Sequence, residues 1–283
     1  MNQRIKLAAI DLDGTLFDEH SRISPYNQEI IGKCIAQGVT VIIATGRPYA
    51  GLPLEQLKAL GVRYAITANG SAVYTLPEGR CIYESSIPHD VLCPLIRKLQ
   101  QQEIHLDIFV DGKAYSLNAC VPRIDRLAMP ESILTYIKTT RTLTDDLARL
   151  IETENLSVQK VVANFYPLPD GGFLYRNETI RLLSDCPDIT FLSGGYNNLE
   201  FTKAGTSKGT GLLFLCRHLN IPKEETLAIG DTQNDLDIIQ TAAVGVAMDN
   251  AIPEVKKAAD FITLSNEKDG VAHALCHFIL GDR

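Results

Sequence analysis

Short apolar runs alternate with amphipathic stretches at both ends of the chain, and this alternation constrains the fold more than any other feature. In the first third, residues 6–10, 39–44 and 64–67 read as strands, with helical periodicity over 27–37 and 54–60 between them. The pattern returns near the C-terminus, with helices over 209–219, 236–241 and 271–279 and strands over 226–229, 245–247 and 261–264. Strand-helix-strand repeats of this kind predict an α/β fold built on a parallel sheet.

The middle follows a different pattern. A helix is predicted over 91–103, then alternating runs at 105–110 and 113–117 flank Asp111-Gly112, a short-range hairpin signal. A second amphipathic helix is predicted over 144–154, and strands at 158–166 and 172–175 flank a turn-rich Pro167-Leu168-Pro169-Asp170-Gly171. The expected organisation is therefore a core from 1–84 and 193–283 interrupted by an α+β insertion over 85–192, with Pro77-Glu78-Gly79 and Ser193-Gly194-Gly195 as hinge candidates. An insertion over the carboxyl edge of a sheet would serve as a lid that sets substrate specificity; a rigid appendage is the plainer alternative.

Composition narrows the class of partner. With 45% hydrophobic and 22% charged residues, the chain is of ordinary globular type. A net charge of −7, with no run of Lys and Arg, argues against nucleic acid or an anionic membrane surface. The apolar segments are too short to span a bilayer, and the N-terminus leads directly into a strand, so a cytoplasmic location is expected. Seven scattered cysteines, with no Cys-x-x-Cys pair, predict neither a disulfide framework nor a zinc site. Nothing in the sequence sets an oligomeric state.

Four predicted strands or helices begin or end in residues suited to chemistry. Leu7-Ala8-Ala9-Ile10 ends in Asp11-Leu12-Asp13-Gly14-Thr15-Leu16. Two carboxylates two residues apart share a face if the backbone stays extended, and Gly14 lets the chain turn away. Val41-Ile42-Ile43 leads to Thr45-Gly46-Arg47, which offers a hydroxyl, a backbone N–H and a cation for an anionic oxygen cluster. Lys208 opens a helix, where its charge opposes the macrodipole unless it reaches an anion. Asp231 and Asp235 follow Leu227-Ala228-Ile229-Gly230 and supply hard oxygens suited to Mg2+. Each stretch taken alone also has a plain structural use, as a turn, a helix cap or a solvated lysine. Together they place four acids beside Thr45, Arg47 and Lys208 at one sheet edge, a combination that reads as Mg2+-dependent phosphoryl chemistry.

The order and spacing of these motifs resemble those of the haloacid dehalogenase-like phosphatases, in particular the Cof-type (subfamily IIB) branch. Asp11 to Leu16 resembles the first motif, Thr45-Gly46-Arg47 the second, Lys208 the third and Gly230-Asp231 through Asn234-Asp235 the fourth. Thr67-Ala68-Asn69-Gly70 is a further point of similarity. The resemblance implies a Rossmann-like parallel-sheet core with an inserted α+β cap of the C2B type. It implies Asp11 as nucleophile and Asp13 as acid/base, with Mg2+ held by Asp11, the backbone carbonyl of Asp13 and Asp231, supported by Asp235. Thr45, Lys208, Asn234 and backbone N–H groups near Leu12 and Gly46 would hold the phosphate. Asp249 departs from the family pattern, which has Gly there. The partner implied is a small phosphorylated metabolite such as a sugar phosphate or a phosphorylated cofactor. A phosphosugar mutase using the same phospho-Asp, and a non-enzymatic phospho-Asp signalling module, stay open at this point.

Overall fold

The computed structural model describes residues 4–281. Two compact units divide the chain. The first runs up to Arg47, then over Pro53–Tyr83 and from Ser207 onward; the second comprises Pro48–Leu52 and Glu84–Thr206. In chain order the first unit begins with β1 (Leu7–Ile10), α1 (Pro25–Ala36), β2 (Thr40–Ala44), α2 (Leu54–Ala59), β3 (Tyr64–Thr67), β4 (Ala72–Thr75) and β5 (Cys81–Glu84). The second unit supplies α3 (His89–Leu99), β6 (His105–Val110), β7 (Lys113–Leu117), α4 (Glu131–Thr140), β8 (Arg141–Thr144), α5 (Leu147–Thr153), β9 (Val158–Asn164), α6 (Arg176–Ser184), β10 (Ile189–Ser193) and β11 (Leu199–Lys203). The chain then completes the first unit with α7 (Lys208–Leu219), β12 (Thr226–Gly230), α8 (Leu236–Thr241), β13 (Val244–Ala247), α9 (Pro253–Ala258), β14 (Phe261–Ile262) and α10 (Gly270–Leu275).

The first unit is an α/β layer structure around an eight-stranded sheet of order β14-β13-β12-β1-β2-β3-β4-β5. Strands β14 to β3 in this order are parallel, and β4 reverses direction against β3. All four residues of β1 are buried, because helices cover both faces of a central parallel strand and polar side chains would lose their water there. The strand order changes direction between β1 and β12, and this switch point opens a crevice beyond the carboxyl ends of the two strands. Register pairs Ile10 with Ile229, so the residues that follow, Asp11 on one strand and Gly230-Asp231 on the other, emerge side by side.

The second unit is built on a six-stranded sheet of order β10-β11-β9-β6-β7-β8. Leu106, Ile108 and Val110 of β6 join Val161, Ala163, Leu199 and Phe201 in a core closed by Leu92, Ile96 and Leu99 of α3 and Leu147 and Ile151 of α5. Burial of each of the Val, Leu, Ile and Phe side chains contributes about 1.5–3 kcal/mol. His105, Asp107 and Phe109 alternate with the apolar set and therefore occupy the opposite face of the strand. That face carries buried charge. Asp107 accepts from Arg141 at 3.0 Å and pairs with His105 at 3.1 Å and with the Ser116 hydroxyl. Lys160 donates to Glu200 at 2.7 Å and lies 5.1 Å from the Phe109 ring centre.

The structure differs from the sequence expectation at several points. The expected insertion ends at 192, but β11 pairs with both β9 and β10, so residues 193–206 complete the second sheet. Neither hinge candidate lies at a crossing between units: Pro77-Glu78-Gly79 turns between β4 and β5, and Ser193-Gly194-Gly195 turns between β10 and β11. Residues 172–175 form no strand but make one bridge, Pro167 to Phe173, before α6. Pro48–Leu52 groups with the second unit through the Ala50 N–H, which donates to the Gly112 carbonyl at 2.8 Å. Among the described residues no helix is long and apolar enough to cross a membrane, and all seven cysteines are free.

Candidate active site

Asp11 ends β1 and lies only 5% exposed, its backbone N–H bonded to Ile229 of the neighbouring strand at 3.1 Å. The chain then turns tightly over Leu12–Leu16, with Gly14 at φ +81°. Glycine is required there twice over, because a Cβ at this position would also sit 2.4 Å from Asp231 Oδ2. The turn brings Thr15 back so that its hydroxyl donates to Asp231 Oδ1 at 2.8 Å. Asn250 secures the outside of the turn by donating to the Gly14 carbonyl at 2.7 Å.

Lys208 sits at the centre of the acidic groups. Ser207 caps α7 and forms a reciprocal capping box with Thr210, which fixes Lys208 as the first residue of the helix. The lysine side chain is fully buried, and its ammonium uses three protons on three acceptors: Asp11 Oδ1 at 2.7 Å, Asp235 Oδ1 at 2.6 Å and Asn234 Oδ1 at 3.1 Å. Asp235 is fully buried as well, and its second oxygen accepts the backbone N–H groups of Asp231 and Thr232 at 3.1 and 3.0 Å. Lys208 thus holds one oxygen of Asp11, while Asp11 Oδ2 accepts no hydrogen bond among the described residues.

Asp13 has different surroundings. Its carboxylate is about half exposed and takes both arms of the Arg47 guanidinium, Nε at 2.8 Å and Nη2 at 2.5 Å. Arg47 also lies over the Phe17 ring, 5.2 Å from its centre. The sequence places Arg47 among the anion-binding residues, and in the structure its fork is engaged by Asp13. Thr45, 1% exposed, accepts the Arg47 N–H on its hydroxyl at 3.2 Å and the Asn69 N–H on its carbonyl at 3.2 Å. Leu12 and Gly46 follow the carboxyl ends of the adjacent strands β1 and β2, each one residue beyond the first residue after its strand.

Three acids with one lysine leave this site short of positive charge. Burial pushes the Asp11 carboxyl well above the ordinary carboxylate range; Lys208 opposes the shift, and Asp235, Asp231 and Asp13 add to it. Burial and then Asp235 push Asp231 up to about 7, against Thr15 and Lys208. Burial alone would lower Lys208, but Asp11 and Asp235 outweigh it and hold the ammonium above its usual range. One carboxylate oxygen from each of Asp11, Asp231 and Asp235 lies within 4.8 Å of the others. Hard oxygens, deep burial and excess negative charge fit a hard divalent cation. Both Asp235 oxygens already hold donors, so Asp235 shapes the cluster while Asp11 and Asp231 retain the freer oxygens.

The structure therefore gathers Asp11, Lys208, Asn234, Asp231 and Asp235 into one cluster, with Asp13 and Arg47 paired beside Asp11. Asp249, by contrast, faces Lys256 at 3.5 Å and is well exposed. Sequence reasoning did not single out Thr15 and Asn69 as site residues. Thr15 lies inside the first motif, but its partner Asp231 is 216 residues away, and the partner of Asn69 is 165 residues away.

The family model for haloacid dehalogenase-like hydrolases matches residues 8–275. Phosphatase YwpJ of Bacillus subtilis is 29% identical to the chain, over 97% of this chain and 100% of its own length. A solved haloacid dehalogenase-like hydrolase from B. subtilis superposes with a TM-score of 0.82 at 28% identity, covering 96% of this chain and 99% of the other. A solved subclass IIB sugar phosphatase superposes with a TM-score of 0.78 at 25% identity, covering 96% and 98%. The chain belongs to the haloacid dehalogenase-like hydrolases.

Proposed function

We propose that this hydrolase is a Mg2+-dependent phosphatase that cleaves small phosphomonoesters through an aspartyl-phosphate on Asp11. The observation that carries this reading is the buried Asp11 carboxylate, held by Lys208 on one oxygen and free of hydrogen bonds on the other, beside acids that lack a full complement of positive charge. Asp11 Oδ2 is the attacking atom. It forms a bond to phosphorus as the bond to the ester oxygen breaks, and Asp13 delivers a proton to that leaving oxygen. In the second half, Asp13 takes a proton from the water that attacks phosphorus, and Asp11 leaves as a free carboxylate. Asp13 is about half exposed and so reachable by water, whereas Asp11 is buried.

Lys208, the Thr45 hydroxyl, the Asn234 amide and the backbone N–H groups of Leu12 and Gly46 would stabilise the equatorial oxygens of the transferring group. Asp11, the Asp13 carbonyl and Asp231 would hold Mg2+, with Asp235 supporting them; the ion when bound offsets charge on that group. The first unit is then the catalytic core, and the second unit is the cap that selects among small phosphorylated metabolites.

A panel of phosphorylated metabolites assayed for phosphate release with Mg2+ tests the reading. Release should depend on Mg2+ and disappear in Asp11→Asn. An Asp11→Asn variant that turns over normally contradicts it, and formation of an isomeric phosphosugar in place of free phosphate would establish the mutase.

A further inference from the structure

The loop after β3 is strained in a way that the reaction described above does not use. Ala68, Asn69 and Gly70 follow one another at φ +50°, +58° and +98°. Left-handed conformations are costly for residues with a Cβ, and most of all for one such as Ala68 that has no polar side chain to offset the cost. The loop is also tightly enclosed: a Cβ on Gly70 would lie 1.8 Å from the Ser207 carbonyl, at the cap of the helix that begins with Lys208. Backbone bonds join the same loop to the second motif, Ala68 N–H to the Arg47 carbonyl at 2.9 Å and Asn69 N–H to the Thr45 carbonyl at 3.2 Å.

The strained turn delivers one side chain to the site. Asn69, 4% exposed, accepts from Asn234 Nδ2 at 3.2 Å, and Asn234 Oδ1 in turn accepts from Lys208 at 3.1 Å and from the Thr232 hydroxyl at 3.0 Å. An amide can present either its oxygen or its nitrogen to a neighbour, and only the oxygen is compatible with an ammonium. Lys208 takes the Asn234 oxygen, which turns the nitrogen to the Asn69 oxygen, and that second bond holds the amide in this orientation.

We propose that Asn69 is a positioning residue for phosphoryl transfer. It fixes the Asn234 amide, and through it the Lys208 ammonium, and it ties both to the loop that carries Thr45. The proposal rests on the phosphatase reading, and its chain of contacts runs Asn69, Asn234, Lys208, Asp11.

The test is a double-mutant cycle with Asn69→Gly and Asn234→Ala, plus Asn69→Asp, using the best ester of the panel at a temperature where melting shows every variant folded. Glycine keeps the left-handed backbone and removes the side chain, and the Asn234→Ala background isolates the part of any loss that runs through Asn234. The expected loss in kcat/KM is about 10–100-fold, the usual effect of removing a group that orients a ligand-binding residue. Asn69→Asp keeps an acceptor and tolerates the backbone, so it should recover most of that loss. In the Asn234→Ala background, Asn69→Gly should cost nothing further. Wild-type rates in Asn69→Gly, or losses that multiply in the double variant, overturn the proposal while leaving the phosphatase reading intact. A wild-type protein that releases phosphate from no ester contradicts that reading itself.

Discussion

Both units bury ionised side chains, and only one of them balances the charge. On the six-stranded sheet each acid has its own cation: Asp107 meets Arg141 at 3.0 Å, and Glu200 meets Lys160 at 2.7 Å. Burial by itself would raise Asp107, yet Arg141, His105 and Ser116 hold it well below the usual range. At the switch point of the eight-stranded sheet, Asp11, Asp231 and Asp235 share Lys208, and the first two rise instead. Equally deep burial thus gives opposite shifts, and the sign follows the local count of charges. Buried acids that are fully paired belong to the architecture of a fold. An excess of like charge at a ligand-binding crevice calls for a partner of opposite sign.

The two clusters should therefore respond oppositely to neutralisation. Asp11→Asn should lower turnover by about 10^4-fold or more, as loss of a nucleophile does, and should raise the melting temperature of the metal-free protein because a like charge is removed. Asp107→Asn, measured by denaturant unfolding, should instead cost about 3–5 kcal/mol, since Arg141 is left buried without its anion. If both substitutions stabilise the protein, or both destabilise it, the comparison fails.

The pH dependence of stability sharpens the same contrast. A carboxyl whose folded pKa is raised stabilises the fold while protonated, so that contribution is complete below the unfolded value of about 4. The contribution of Asp231 should be lost as pH rises through about 7, making the metal-free protein less stable over that interval. Saturating Mg2+ should remove the decline, adding about 2.7 kcal/mol at a hundred times its dissociation constant, with a larger thermal shift at pH 8 than at pH 5. A smaller effect is expected at the balanced site. Lys160→Met should cost about 1–2 kcal/mol in denaturant melts, less than Asp107→Asn, because the Glu200 left behind is 16% exposed and keeps some water.

The parts legible in the sequence were those whose signal is local. Leu7 to Ile10 and Leu227 to Ile229 read as strands because a parallel strand covered on both faces is a continuous apolar run. The Asp11, Thr45, Lys208 and Asp231 motifs follow or open such elements and could be read with them. The edge of the sheet was not legible: β4 and β5 are four residues each, and the Pro77-Glu78-Gly79 turn between them carries the same signature as a hinge. The second unit was hardest, since α4 follows a long 3₁₀ stretch over Asn118–Arg126 that is interrupted by Pro122, and β8 is a short strand without a buried face. Contacts between distant positions were beyond reach for another reason. The Arg47 fork on Asp13 joins residues 34 apart, and the Asn69–Asn234 bond joins residues 165 apart, so neither leaves a spacing to detect.

The central claim is that the Asp11, Asp231 and Asp235 cluster is short of positive charge and accepts a divalent cation. Calorimetric titration of Mg2+ into the wild-type protein and into Asp231→Asn, at pH 6 in two buffers of different ionisation enthalpy, tests it most directly. The expected result is one ion per wild-type chain with release of protons, because burial and Asp235 push the Asp231 carboxyl up to about 7 and Mg2+ displaces its proton, and markedly weaker binding in Asp231→Asn. Absence of binding to the wild-type protein, or equal binding and no proton release in both proteins, would contradict the claim.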